Sequence, residues 1–137
     1  MVDLQSKIWV LGGIMGKFET VDGGPLPIDL EKLSQYTAND PAIARDVLQI
    51  FCDQAELWLA AMGGAADLKA WKDAAHTVKG ASRGVGAGEL AGLAEEAEQL
   101  EDMDAPERAD YFAKLEHAMG RARCYATQLL EDSPFVG

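Results

Sequence analysis

Apolar residues recur at intervals of three and four along most of this chain, a spacing that predicts helices. Ala44, Val47, Leu48, Phe51, Ala55, Trp58 and Met62 form one stripe, predicting a long helix over residues 41–62. Asn39 or Asp40 can cap it, Pro41 suits its first turn, and Gly63-Gly64 ends it. Leu68, Trp71, Ala75, Val78, Ser82 and Val85 predict a second helix over 66–83. Leu90, Leu93, Ala94, Ala97 and Leu100 predict a third over 89–102, with Glu95, Glu96, Glu98 and Glu101 as its solvated face. Asp104-Ala105-Pro106 opens a last helix reaching residue 130, with Phe112, Leu115, Met119, Ala122, Ala126 and Leu129 or Leu130 turned inward. A short helix over 30–36, capped by Asp29, precedes them.

No strand-length alternation follows residue 28. Amphipathic helices joined by short connections predict an all-α fold, an up-down four-helix bundle over residues 28–132. Residues 1–27 read as an irregular extension broken by Gly12, Gly13, Gly16, Gly23, Gly24, Pro25 and Pro27. Within it, Ile8-Trp9-Val10-Leu11 suits a short strand or a packed extended segment. Ser133-Pro134 stops the last helix and begins a tail over 133–137.

The length of 137 residues suits one domain, and 48% hydrophobic residues suit a folded one. A net charge of −11 argues against nucleic acid and against anionic membrane surfaces as partners. The apolar run over residues 8–15 falls short of the roughly 20 residues that span a bilayer. A soluble, cytoplasmic protein is expected. Cys52 and Cys124 show no metal-ligand spacing and read as two small buried apolar residues.

The candidate chemistry lies in Ala74-Ala75-His76-Thr77-Val78-Lys79-Gly80-Ala81-Ser82. Counting about 100° per residue, Lys69, Lys72, Lys79, Gly80 and Arg83 all fall within about 60° of His76. The apolar stripe lies on the far side of the helix. His76 is therefore expected to be reachable, on a face carrying four of the 12 Lys and Arg residues. Gly80 costs roughly 1 kcal/mol in a helix interior relative to alanine. Something large approaching His76 would account for it. A reachable imidazole on a basic face suits a nucleophile toward phosphorus, a general base, or a metal ligand with Asp73 close by. An ordinary surface histidine fits the pattern equally well. His117, flanked by Lys114 and Arg121 but lacking a neighbouring glycine, reads as a surface residue. No Gly-rich phosphate loop, nucleophile elbow or ATP-binding sequence is recognisable. A phosphate on His76 is expected to come from another protein.

His76-Thr77-Val78-Lys79-Gly80-Ala81-Ser82, then Val85-Gly86-Ala87 and Leu90, resembles the motif of histidine-containing phosphotransfer (HPt) domains. The register holds without a gap, and weaker similarity extends from about residue 28 to 130. The family pattern is His-x-Leu-Lys-Gly-Ser-Ser/Ala, then Leu-Gly-Ala and a Leu three residues on. Val78 and Ala81 depart from it, Arg83 adds a cation, and Ala97-Glu98 stands where Leu-Glu is common. The resemblance implies a phosphorelay intermediate without autokinase activity. His76 would accept a phosphoryl group from the aspartate of one receiver domain and pass it to another, within two-component signalling that includes a hybrid histidine kinase. Lys79 would sit beside the phosphoryl group, and Gly80 would leave room for the receiver. Lys69, Lys72 and Arg83, from the basic face, would contact that partner. The protein would need no metal or cofactor of its own, Mg²⁺ coming with the receiver, and would be a monomer. Alternatives are a non-catalytic docking bundle, a dimeric histidine-kinase-like phosphotransferase, which would need an α/β domain, and a metal-binding bundle.

Overall fold

The structure, a computed structural model, describes residues 26–132. The Ile8-Trp9-Val10-Leu11 segment, most of the glycine-rich extension and the tail 133–137 lie outside the described residues. Among the described residues all regular structure is helical: α1 (Leu30–Tyr36), α2 (Pro41–Gly63), α3 (Leu68–Gly84), α4 (Gly88–Glu98) and α5 (Glu107–Glu131).

Aspartates start the first three helices. Asp29 accepts from the backbone N–H groups of Glu31 and Lys32, Asp40 from Ala42 and Ile43, and Asp67 from Ala70. Each carboxylate satisfies donors that have no partner inside the helix. Asp40 rather than Asn39 is the cap of α2, and Asp67 moves the start of α3 to Leu68.

The four long helices form a bundle in which α3 packs on α2 and α4, and α5 closes against α2 and α4. Its core holds Leu48, Phe51, Met62, Trp71, Val78, Leu90, Leu115, Met119 and Leu129, all essentially without exposure. Val47, Trp58, Leu68, Leu93 and Phe112, expected inside, are only partly buried at its margin. Cys52 is buried, but Cys124 is exposed, which corrects the reading of both cysteines as core residues. Position 124 falls opposite the stripe of Ala122, Ala126 and Leu129, and Tyr125 turns inward instead.

The α3–α4 connection explains the Val85-Gly86-Ala87 sequence. Ala87 N–H donates to the Ser82 carbonyl at 2.8 Å, and Gly86 N–H to the Arg83 carbonyl at 3.1 Å. These are the paired bonds of a Schellman cap, with Gly86 at φ +78° in the left-handed position. Asp29 N–H donates to the Gly86 carbonyl at 2.8 Å, tying the start of α1 to this corner. A side chain on Gly86 would bring its Cβ to 2.7 Å from the Asp29 carbonyl oxygen.

Helix α4 ends at Glu98, four residues before the expected boundary. The Ala97 carbonyl, which a longer helix would bond to residue 101, instead accepts from Trp71 Nε1–H at 2.8 Å and from Leu100 N–H at 3.2 Å. Leu100 is buried where the chain turns.

Two variants test this packing. Gly86→Ala combines left-handed strain with a backbone collision, so chemical denaturation should show a loss of at least about 1–3 kcal/mol. Tyr125 has a buried hydroxyl with no hydrogen-bond partner among the described residues. Burial pushes its phenol up to about 12. Removing that unpaired group in Tyr125→Phe should leave the unfolding free energy unchanged or raise it by up to about 1 kcal/mol, read from chemical denaturation.

Candidate functional site

His76 lies in the middle of α3 on its outer face, with 68% of its side chain exposed. The inward residues Trp71, Ala75, Val78 and Ser82 leave no room for it toward the core. The Ser82 hydroxyl donates to the Val78 carbonyl at 2.6 Å, so this buried polar side chain is satisfied within the helix.

A carboxylate of α4 meets the histidine. Glu98 Oε1 lies 2.9 Å from His76 Nδ1, and Lys79 Nζ donates to Glu98 Oε2 at 2.6 Å. Lys79 and Glu98 are largely shielded, with 15% and 21% of their side chains exposed. The Lys79 hydrogen bond chiefly holds the Glu98 carboxyl below its ordinary range, against the opposing effect of burial, with His76 adding to it. Glu98 is thus ionised at neutral pH and can only accept. In the neutral ring Nδ1 must then carry the hydrogen, which leaves the lone pair on Nε2, the nitrogen turned away from Glu98.

The remaining cations of the face carry less net positive charge than their number implies. Lys69 pairs with Asp73 at 2.6 Å, both well exposed, and Arg83 lies 3.6 Å from Glu95. Lys72 is partly buried. Gly80 is exposed, and a Cβ there would meet nothing within 4 Å. No neighbour inside the chain requires a glycine at this position. His117 is exposed on α5. Among the described residues no group of three His, Cys, Asp or Glu side chains could hold a metal ion. No helix among them is long and apolar enough to cross a membrane.

Glu98 is the residue that sequence reasoning missed as part of the site. Helical counting placed it with the solvated glutamates. Its spacing of four from the buried Ala94 puts it at the edge of the apolar stripe, where a long side chain can reach a neighbouring helix.

Because the folded-state Glu98 carboxyl titrates below its unfolded value, its contribution to stability is complete above about pH 4.3, the unfolded range. That contribution is lost as pH falls through the lower folded value. Glu98→Gln should cost about 1 kcal/mol at pH 7, and the difference from the unmodified protein should shrink toward zero by pH 2–3 in urea titrations.

The Hpt domain family model matches residues 46–124, a span running from α2 into α5 and containing His76, Lys79, Gly80 and Glu98. No curated protein and no solved structure matches the chain.

Proposed function

This chain belongs to the Hpt domain family, and from that premise we propose that His76 accepts a phosphoryl group from a receiver-domain aspartate and passes it to another receiver. Histidine phosphotransfer within two-component phosphorelays is the general activity of the family. The observation that carries the assignment to His76 is the exposed imidazole whose Nδ1 faces an ionised carboxylate. That contact leaves Nε2 as the nucleophile, pointing to where a partner can reach.

In the transfer step the Nε2 lone pair attacks phosphorus, and the bond to the receiver's carboxylate oxygen breaks with its electron pair staying on that oxygen. The exposed face suits delivery by a partner protein better than binding of a small substrate. Lys79 is poised beside the ring to attract the phosphoryl oxygens, and Mg²⁺ would enter with the receiver rather than be held here.

The receiver would approach over Gly80 from the side of α2. Cys52 and Glu56 turn toward Arg123 and Thr127 of α5, so the opposite flank of α2 runs along α3. On that side Ile50 and Leu57 are 58% and 62% exposed, unusual for large apolar side chains. Counted around α3, Thr77 and Gly80 fall on one side of His76 and Lys79 on the other. Continuity with the imidazole makes this a surface for the same partner that receives or delivers the phosphoryl group. Lys69, Lys72 and Arg83 would border the contact.

Incubation with a phosphorylated receiver should give an acid-labile, base-stable label that His76→Gln abolishes. Labelling retained in His76→Gln and lost in His117→Gln would show that the assignment is wrong. Gly80→Gln and Leu57→Asp should each weaken receiver binding about tenfold or more with the helical signal unchanged, since burying a leucine is worth about 1.5–3 kcal/mol. Unaltered affinity in both would move the docking surface elsewhere.

A further inference from the structure

We propose that the apolar stretch Ile8-Trp9-Val10-Leu11-Gly12-Gly13-Ile14-Met15 of this chain covers the exposed face of α2, and that an incoming receiver displaces it. The cover stands by itself; the displacement rests on the docking reading above. The large apolar side chains exposed among the described residues are Tyr36, Ile43, Ile50 and Leu57, each seven residues after the last. Seven residues return a helix to within about 20° of the same line. Ile43, Ile50 and Leu57 therefore run along one side of α2 for about 21 Å. Val47, Gln54 and Ala61 alternate with them at steps of four and three, which makes the seam continuous. An apolar run of this kind calls for something to bury it.

Charge, length and tether select the occupant. By the same helical count Asp46 and Asp53 border the seam on its solvent side. Gln49 Nε2 donates to Asp53 at 3.0 Å, and neither aspartate meets a cation among the described residues. The apolar stretch is bracketed by Lys7 and Lys17, cations in a chain of net charge −11. A second copy of α2 would instead set aspartates against aspartates. Eight residues span at most about 26–29 Å, enough to follow the whole seam. The described chain begins at Leu26, packed on the core, with Ile28 buried and Asp29 bonded to Gly86 beyond the end of α3. A short connection turns α3 back along α2, so this corner lies by the start of α2, at the Ile43 end of the seam. Residues 16–25 are the tether, and ten residues reach up to about 33 Å.

NMR of the full chain tests the cover directly, through the methyl groups of Ile43, Ile50 and Leu57. Cross-relaxation from the Trp9 and Leu11 side chains to these methyls is expected, unchanged on dilution and lost in the double variant Trp9→Asp/Leu11→Asp. Asp46→Lys with Asp53→Lys should weaken the contacts, and adding Lys7→Asp with Lys17→Asp should restore them. Absence of the contacts would overturn the proposal. Contacts that fade on dilution would overturn it too, since the stretch would then cover a second copy. A cover in place about nine-tenths of the time lowers the apparent affinity for a receiver about tenfold. Trp9→Asp/Leu11→Asp should therefore bind a receiver about tenfold more tightly, with the helical signal unchanged. Contacts present with receiver affinity unaltered would overturn the displacement and move the docking surface off α2. Failure of His76 to load would overturn the phosphotransfer reading alone, because the contacts are read without any phosphate.

Discussion

One carboxylate, Glu98, holds an imidazole nitrogen and an ammonium group at once, and the arrangement of the site depends on it. Its placement is itself a consequence of core packing. Trp71 is buried in α3, and its indole N–H needs an acceptor. It takes the Ala97 carbonyl, which helps end α4 one residue later and leaves Glu98 in the last helical position. The histidine and the tryptophan share a helix, five residues apart on nearly opposite faces. The same helix therefore fixes both the histidine and the turn that delivers its carboxylate. Loss of the indole hydrogen bond would loosen the site without touching His76, Lys79 or Glu98 themselves.

The exposed face of α3 is asymmetric as a result. Toward α4 it is charged and mutually satisfied, with Lys79 and Arg83 meeting Glu98 and Glu95. Away from α4 it is open at Gly80, and the neighbouring helix α2 carries the exposed Ile50 and Leu57. The charged side holds the ring in place, and on the proposed docking the apolar side would give a partner something to bury. Overall charge of −11 would repel an acidic partner at long range. Specific contact close to His76 must then outweigh that repulsion, and apolar area does so without adding to it.

Much of this was legible in the sequence because the helices are strongly periodic. Asp29 and Asp40 marked starts, the Ala44-to-Met62 stripe marked the core face of α2, and the wheel around His76 put it outside. What escaped depended on tertiary contacts that local rules do not see. The early end of α4 needs the Trp71 indole from another helix. The inward turn of Tyr125, with Cys124 left outside, exchanges a small residue for a large one at a bundle margin. The basic stripe looked like free charge because Lys69, Lys79 and Arg83 were counted without the acids that face them. Gly80 and Gly86 show both outcomes. Gly86 is explained within the chain by its left-handed cap and the Asp29 backbone against it. Gly80 has open space around it, and no neighbour inside the chain accounts for it.

The central claim, that Glu98 fixes His76 with hydrogen on Nδ1 and a nucleophilic lone pair on Nε2, is accessible to ¹⁵N NMR of the ring. In the neutral side chain, Nδ1 should show the shift of a protonated nitrogen and Nε2 that of an unprotonated one. After phosphorylation, coupling to phosphorus should appear at Nε2. The opposite tautomer, or coupling at Nδ1, would contradict the account.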